Sequence, residues 1–301
     1  MLDSGDTPAA LQLLEPTLTD AQAQLGPLDE LTLQLQTLKS RQLFNAGELT
    51  AALAYAIKTQ PQFEKATNVA PGVLLSQLNI LSLLRSNQDQ FVEAETVMRR
   101  AIAVASSGYG ALNSKTLRAR HSLAVLMLQS KQPQAAAAQL RPLLHDCERA
   151  LGENHLVCIS TLSNLGMALR FAGDRAASAP YYQQAYARAL AQFGPAHPLT
   201  LDLANNLAIF EIASGQANAA LTRIDDVIAI SSALHSRLHP SMVEALRTRA
   251  RALSALSALS ALHRSAARAA WREVIARDIE LYGPTNRQTL EEQRKLAEVP
   301  K

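Results

Sequence analysis

Two stretches of this chain decide its fold, Gly152-Glu-Asn-His155 and Gly194-Pro-Ala-His197-Pro198. The second begins 42 residues after the first, and Gly110 lies 42 residues before the first. Ser236-Arg-Leu-His239-Pro240 continues the series one period later. A fixed period of this size is typical of a stack of two-helix units. The period therefore predicts an all-α repeat architecture, and such architectures bind partners more often than they catalyse reactions.

Small side chains recur with the same period, where neighbouring helices must approach closely. In the predicted first helices they are Ser40, Ser82, Ala124, Gly166, Ala208 and Ala250. Twelve residues later, in the predicted second helices, they are Ala52, Ala94, Ala136, Ser178 and Ala220. Four residues further on, Ala56, Met98, Leu140, Tyr182 and Ile224 are expected to fill the space between helices. The turn within a unit carries Gly47, Gly173 and Gly215, because glycine adopts a positive φ most easily.

Composition and charge support a helical chain and exclude several classes of protein. Only 4% of the residues are aromatic and only 12 are glycine, which favours nearly continuous helix. The net charge of +3 is too small to indicate nucleic-acid binding. No run reaches the ~18 apolar residues of a membrane helix, and the N-terminus lacks the pattern of a signal peptide. We therefore expect a cytoplasmic protein that contacts neither membranes nor nucleic acid.

The repeat resembles the tetratricopeptide repeat, in the long form found in kinesin light chains. The segments that carry the resemblance are Asn164-Leu-Gly166, Ala172-Gly-Asp174, Asn205-Asn-Leu-Ala208 and Ser214-Gly215. The resemblance covers nearly the whole chain and is closest over residues 110–235. It implies a right-handed superhelical solenoid of antiparallel helix pairs, with six full repeats and a half repeat at each end. The full repeats occupy residues 26–283 and start near residues 26, 68, 110, 152, 194 and 236.

Both ends of the chain are predicted to be half repeats. Residues 1–25 are interpreted as the second helix of a leading repeat, because Gly5, Ala10 and Leu14 continue the register. Residues 284–301 are interpreted as a capping first helix. A natural solenoid normally starts with a complete or polar capping unit. We therefore expect a longer protein with another domain before residue 1.

One insertion interrupts the period. Seventeen residues separate Ala250 from Ala267, where twelve are expected. The extra residues fall in the Ser-Ala-Leu stretch 254–262, which is predicted either to lengthen both helices or to loop out. Trp271 then occupies the position that fills the space between the two helices.

The resemblance implies a binding groove on the concave face, built from first-helix residues and suited to a peptide. The predicted groove residues are Asn79, Arg118, His121, Ser160, Ser163, Asn164, Asp202, Asn205, Asn206, Arg247 and Arg251. The same face carries Gln34, Thr37, Arg41, Ser76, Ser122, Glu244 and Thr248. Its asparagines can both donate to and accept from a peptide backbone, and Asn164, Asn205 and Asn206 are expected to be central. The alternative is a merely solvated face. The carboxylate clamp of chaperone-binding repeats is absent from the sequence.

No catalytic motif occurs in the chain, so we predict no enzyme activity and no cofactor. His155, His197 and His239 recur with the period and are predicted to be structural. His145, Cys147, His155 and Cys158 lack the spacing of a zinc site, and no metal is predicted. A disulfide between the two cysteines is the less favoured alternative to free thiols.

These observations predict a protein- or peptide-binding scaffold or sensory module. The resemblance implies that it belongs to a larger, bacterial signalling protein, such as a kinase or a transcription regulator. The partner is expected to be a protein or a peptide, and the chain a monomer or weak dimer. The alternative function is a self-assembling structural array without a peptide ligand.

Overall fold

Every regular element that the structure describes is an α-helix. The computed structural model describes residues 7–67, 69–234, 238–258 and 260–300, with side chains from residue 12 onward. Gly5 and Ser236, which the register uses, lie outside the described residues. The chain divides into two compact units, Met1–Gly152 and Glu153–Lys301. In the described ranges, no helix is both long and apolar enough to cross a membrane.

The first unit is a stack of seven described helices in which each helix packs against the next along the chain. The first helices α2 and α4, which belong to neighbouring repeats, also meet. The helices are α1 (Thr7–Gln24), α2 (Glu30–Asn45), α3 (Leu49–Lys65), α4 (Pro71–Ser86), α5 (Phe91–Tyr109), α6 (Ser114–Gln129) and α7 (Pro133–Leu151).

The second unit is built in the same way, and its first helices α10 and α12 also meet. Its helices are α8 (Leu156–Phe171), α9 (Arg175–Phe193), α10 (Pro198–Ala213), α11 (Ala217–Leu234), α12 (Pro240–Leu256), α13 (Ala261–Tyr282) and α14 (Arg287–Glu298). The described helices form six pairs, with α1 and α14 as single helices. The predicted all-α solenoid of tetratricopeptide type is confirmed.

The close approaches predicted from small side chains are present. All the small residues at the two aligned positions are buried, as are the side chains that fill the space between helices. At Gly166, a Cβ atom would lie 3.1 Å from Cδ2 of Tyr182, because α8 and α9 are pressed together there. A small residue at this position therefore sets the distance between the paired helices.

Periodic capping residues start the first helices. The side chains of Asp29, Asn113 and Asn286 each accept a hydrogen bond from the backbone N–H two residues later. His155, His197 and His239 do the same through Nδ1 at the starts of α8, α10 and α12. These caps satisfy a backbone donor that the helix leaves unpaired. The structural role predicted for the recurring histidines is confirmed.

In the first five repeats, the turn between the two helices adopts a positive φ whether or not it holds glycine. Gly47, Gly173 and Gly215 have φ values of 80°, 95° and 80°. The equivalent residues of the second and third repeats are Asp89 and Lys131, both at φ 59°. In the sixth repeat, which carries the insertion, the equivalent Ser257 has a φ of −61°. A side chain with a Cβ atom is strained in this region of φ. The repeat geometry therefore imposes the conformation, and glycine only makes it easier to adopt.

Replacing Lys131 with glycine is expected to raise the free energy of unfolding by about 0.5–1 kcal/mol. The substitution relieves left-handed strain, which outweighs the entropy that a glycine loses on folding. Urea denaturation followed by circular dichroism measures the change. Lys58→Gly, inside α3, is the control and should lower stability by about 1 kcal/mol. A Lys131→Gly variant less stable than the parent would contradict the expectation.

The 254–262 insertion is mainly absorbed by longer helices. α12 has 17 residues and α13 has 22, compared with 16 and 18 in the preceding pair α10 and α11. Leu259 lies outside the described residues. Trp271 is 1% exposed between α12 and α13, as its place in the repeat predicts.

Candidate binding surface on the first helices

In the first unit, the predicted groove face contains two adjoining clefts. The first, of about 370 Å³, lies along α2 and α4 and is lined by Gln34, Arg41 and Ser76 among others. The second, of about 320 Å³, lies along α4 and α6 and is lined by Asn79 and Arg118. Both clefts are also lined by Gly72, Ser76 and Lys115, so they form one continuous depression. The three first helices of this unit thus share a single concave surface.

A third cleft, of about 330 Å³, extends this surface along α4 and α6. It shares Asn79 and Ser122 with the second cleft and adds His121 to its polar lining. Its apolar lining includes Leu83 and Met98. The structure therefore brings together three of the predicted binding residues, Asn79, Arg118 and His121.

Sequence reasoning missed Lys115 and Tyr109, which line the first cleft. Lys115 lies in the first turn of α6, three residues before Arg118 and hence on the same face of the helix. That spacing could have predicted from sequence that Lys115 lies in the groove beside Arg118. Tyr109 ends α5, a second helix, and the repeat alignment gave no reason to place it at the surface of the first helices.

In the second unit, α8 and α10 carry six of the predicted residues. The side-chain amide of Asn206 donates to Oγ of Ser163 over 3.4 Å, which connects the two helices. Asn205 is only 9% exposed, and its Oδ1 atom has no hydrogen-bond partner among the described residues. Asn164 is half-buried and already engaged in an interaction. Neighbouring side chains therefore cover much of each of these three amides, although the sequence placed them at the centre of the groove.

Asp202 lies on the same face of α10, while Ser160 is half-buried on α8. The Asp202 side chain is exposed, yet enough protein surrounds it that desolvation raises the pKa of its carboxyl. The positive charge that His239 can carry acts in the opposite direction and lowers that pKa. A carboxyl in this setting is a hydrogen-bond acceptor on a partly desolvated surface.

Arg247 occupies a different environment from the predicted groove. It is 7% exposed, and its Nε donates to Glu292 of α14 over 2.6 Å. One terminal nitrogen donates to both carboxylate oxygens of Asp278 on α13, at 3.1 and 3.2 Å. The other bonds Glu244, which also lies 3.8 Å from Arg251. The Arg247 guanidinium is fully engaged, so its role is to join three helices, while the half-buried Arg251 stays accessible.

Two cysteines and a histidine of the set that resembles a zinc site have features that the sequence did not predict. Neither Cys147 nor Cys158 is a free thiol, which differs from the free thiols that the sequence favoured. A metal ion binds the thiolate form of cysteine. Nδ1 of His155 accepts the capping hydrogen bond at the start of α8. His155 therefore has a structural role as the cap of α8.

Comparisons with known proteins agree with this architecture. A family model described as tetratricopeptide repeat matches residues 116–156 and 158–199. A structure from Podosopora anserina with nearly identical repeats of kinesin-light-chain type is 22% identical, with a TM-score of 0.57. The similarity covers 70% of this chain and 97% of that one. A search of proteins with curated functions found no match.

Two further solved structures share the fold over almost the full length. The apo quorum sensor NprR from B. thuringiensis is 17% identical with a TM-score of 0.63, and 98% of this chain and 82% of that one are covered. A Rap protein complexed with competence and sporulation factor is 12% identical with a TM-score of 0.60, and the coverage is 95% and 81%. Such identities show the fold alone. Residues 116–156 and 158–199 are therefore tetratricopeptide repeats, and the described helices outside them have the same fold as these solved repeat structures.

Proposed function

We propose that the chain is a peptide- or protein-binding scaffold whose ligand lies along the first-helix surface. The observation that carries this proposal is the continuous set of clefts across α2, α4 and α6. Concave surfaces with a few polar groups are the usual form of ligand sites. The proposed function is binding, and it includes no catalytic step.

The chemistry of the surface suits an extended peptide. Ser76, Asn79 and Ser122 line the clefts of the first unit. Hydroxyl and amide groups both donate and accept, so they can pair with the N–H and C=O groups of a peptide backbone. In the second unit, the partly exposed side chain of Asn206 carries an amide of the same kind.

The finer proposal is a sensory or scaffolding module of a larger, bacterial, cytoplasmic regulatory protein. Two proteins of similar fold support a regulatory setting, since one is a quorum sensor and the other was solved bound to competence and sporulation factor. A kinase or a transcription regulator remains the proposed context. Purification of partners from the native organism, followed by their identification, tests this part of the proposal.

Peptides selected from a random display library against the full chain are expected to lose affinity when polar side chains of the groove are removed. Asn79→Ala with His121→Ala tests the first unit, and Asn164→Ala with Asn206→Ala tests the second. Each lost hydrogen bond costs about 0.5–1.5 kcal/mol, so each double variant should weaken binding roughly fivefold or more. Titration calorimetry measures the loss.

Gln134→Ala with Gln139→Ala is the matched control, because both exposed amides lie on the second helix α7. Melting curves check that each variant keeps its fold, since Asn206 bonds Ser163. Peptides that bind both double variants as tightly as the parent would refute the first-helix surface as the binding site. A library that yields no binder at all would refute the proposed function.

Self-assembly is the second candidate function. Three leucines near the start of the chain are exposed: Leu13 in α1, Leu25 directly after α1, and Leu31 in α2. Exposed apolar side chains at one end of a helical stack are a feature that a contact between molecules would bury. Light scattering after size-exclusion chromatography separates the two functions, because a concentration-independent monomer excludes an assembling array.

A further inference from the structure

We propose that the clefts of the first unit bind an acidic, extended peptide segment. This inference rests on the proposed function and names the chemistry of the ligand. It concerns the surface formed by α2, α4 and α6, where the first two clefts adjoin.

Three cations line these two clefts. Arg41 projects from α2 into the first cleft, Arg118 projects from α6 into the second, and Lys115 lines both. The Nζ atom of Lys115 lies 4.1 Å from the centroid of the Tyr109 ring. This cation–π contact holds the ammonium group at the surface without neutralising its charge. The three positive charges therefore surround one continuous depression.

These charges are not neutralised by nearby carboxylates. Arg41 and Arg118 are exposed, and neither has a hydrogen-bond or ion-pair partner among the described residues. The acidic residue that lines these clefts is Glu30. Its two carboxylate oxygens accept hydrogen bonds from the Gln34 amide and from the backbone N–H of Ala70, both at 3.1 Å. The clefts therefore carry an excess of positive charge.

Three other arginines of the same unit are paired with carboxylates. Arg99 bonds Glu95, Arg100 bonds Glu64, and Arg120 bonds Asp146 at 2.8 Å. The first two pairs lie on second helices, and Arg120 reaches from α6 to α7. The cations in the clefts are thus available to a ligand, whereas Arg99, Arg100 and Arg120 already form ion pairs with carboxylates of the chain. Complementary charge gives specificity and speeds association.

A peptide fits this surface better than a nucleic acid does. Three cations can neutralise only a few phosphates, and most nucleic-acid affinity comes from such contacts. Single-stranded nucleic acids also need aromatic side chains on which bases can stack. Tyr109 is the aromatic residue that lines these clefts, and Lys115 covers its ring. The hydroxyl and amide groups of Ser76 and Asn79 suit a peptide backbone instead.

The test uses the full chain and three short fluorescent probes at low salt. The probes are a peptide of alternating glutamate and serine, the same peptide with glutamine for glutamate, and a deoxythymidine strand. Fluorescence anisotropy should show the glutamate peptide binding roughly tenfold more tightly than the glutamine peptide. Arg41→Gln with Arg118→Gln should abolish that preference. Lys58→Gln with Arg141→Gln removes the same charge from exposed positions on second helices and should preserve it.

Each alternative result overturns the inference. Equal affinity for the two peptides would show that the surface does not select acidic ligands, while peptide binding itself would stand. Tighter binding of the deoxythymidine strand than of the glutamate peptide would indicate a nucleic-acid ligand. If the double variant Arg41→Gln with Arg118→Gln still bound the glutamate peptide more tightly than the glutamine peptide, the cationic site would lie elsewhere on the chain. Failure of both peptides to bind would reject the acidic ligand, while the library selection decides on peptide binding separately.

Discussion

Replacing Arg247 with methionine is expected to lower the free energy of unfolding by about 3–5 kcal/mol at neutral pH. The substitution leaves Asp278, which is 0% exposed, and the buried Glu292 without their cation. An ionised carboxylate that is buried and unpaired is strongly unfavourable. Because Arg247 joins α12 to α13 and α14, these helices should lose stability together. Urea denaturation monitored by the fluorescence of Trp271 reports on this region directly.

Arg251→Met is the matched control for Arg247. Arg251 is partly exposed and lies 3.8 Å from Glu244, so the loss of this ion pair should cost about 1 kcal/mol or less. If Arg247→Met and Arg251→Met lowered the unfolding free energy equally, the burial of Arg247 and its carboxylate partners would not explain the effect of Arg247→Met.

Acidification should partly rescue the Arg247→Met variant. Burial raises the pKa of Glu292, while the positive charge of Arg247 lowers it. Without Arg247 that pKa should rise further. A carboxyl whose pKa is raised by folding destabilises the folded state when ionised, and the cost disappears as the pH falls through its folded-state pKa. The stability difference from the parent should therefore shrink between pH 7 and about pH 4.5.

Trp271→Ala is expected to cost about 3–5 kcal/mol of unfolding free energy. The indole is 1% exposed and packs among Met242, Leu253 and Val274 of α12 and α13. Its Nε1–H donates to Oγ of Ser254 over 2.8 Å. Truncation opens a cavity between the helices and removes this hydrogen bond. Circular dichroism in urea measures the loss, since the variant lacks a tryptophan reporter.

Two controls separate packing from hydrogen bonding at Trp271. Trp271→Phe keeps most of the apolar volume, and we expect it to cost about half as much as alanine. Ser254→Ala removes the partner of the indole N–H, together with the bond that the hydroxyl itself donates to the backbone carbonyl of Ala250, and should cost about 1–3 kcal/mol. If Trp271→Ala lowered the unfolding free energy no more than Ser254→Ala does, packing of the indole would not be its main contribution to stability.

The helix pairs could be predicted from sequence because each contact between neighbouring helices repeats with the period. Ala124 and Ala136 are fully buried because the period places each of them at a point of close approach. His155 likewise had a predictable place at a helix start, although its capping bond to Val157 required the structure. Such features depend only on position within the repeat.

The candidate site was less predictable because it depends on side chains from different repeats. Arg247 has the alignment of a groove residue, yet Asp278 lies 31 residues later, beyond an insertion that disturbs the register. No repeat pattern predicts that ion pair. Burial of Asn205 depends likewise on how closely its neighbours approach. In contrast, Arg118 could be placed in the groove because exposure on a first helix follows from the period alone.

The nearest-neighbour packing described for each unit also bears on how this array can evolve. Contacts within each unit join helices that are adjacent, or next but one, along the chain. A repeat can therefore be duplicated or lost with new contacts needed only at its two borders. The longer α12 and α13 illustrate this tolerance, since Gly283 still caps α13 with a φ of 87° and α14 follows as usual. Gene duplication can adjust the length of such a binding surface while the chemistry of each remaining repeat is preserved.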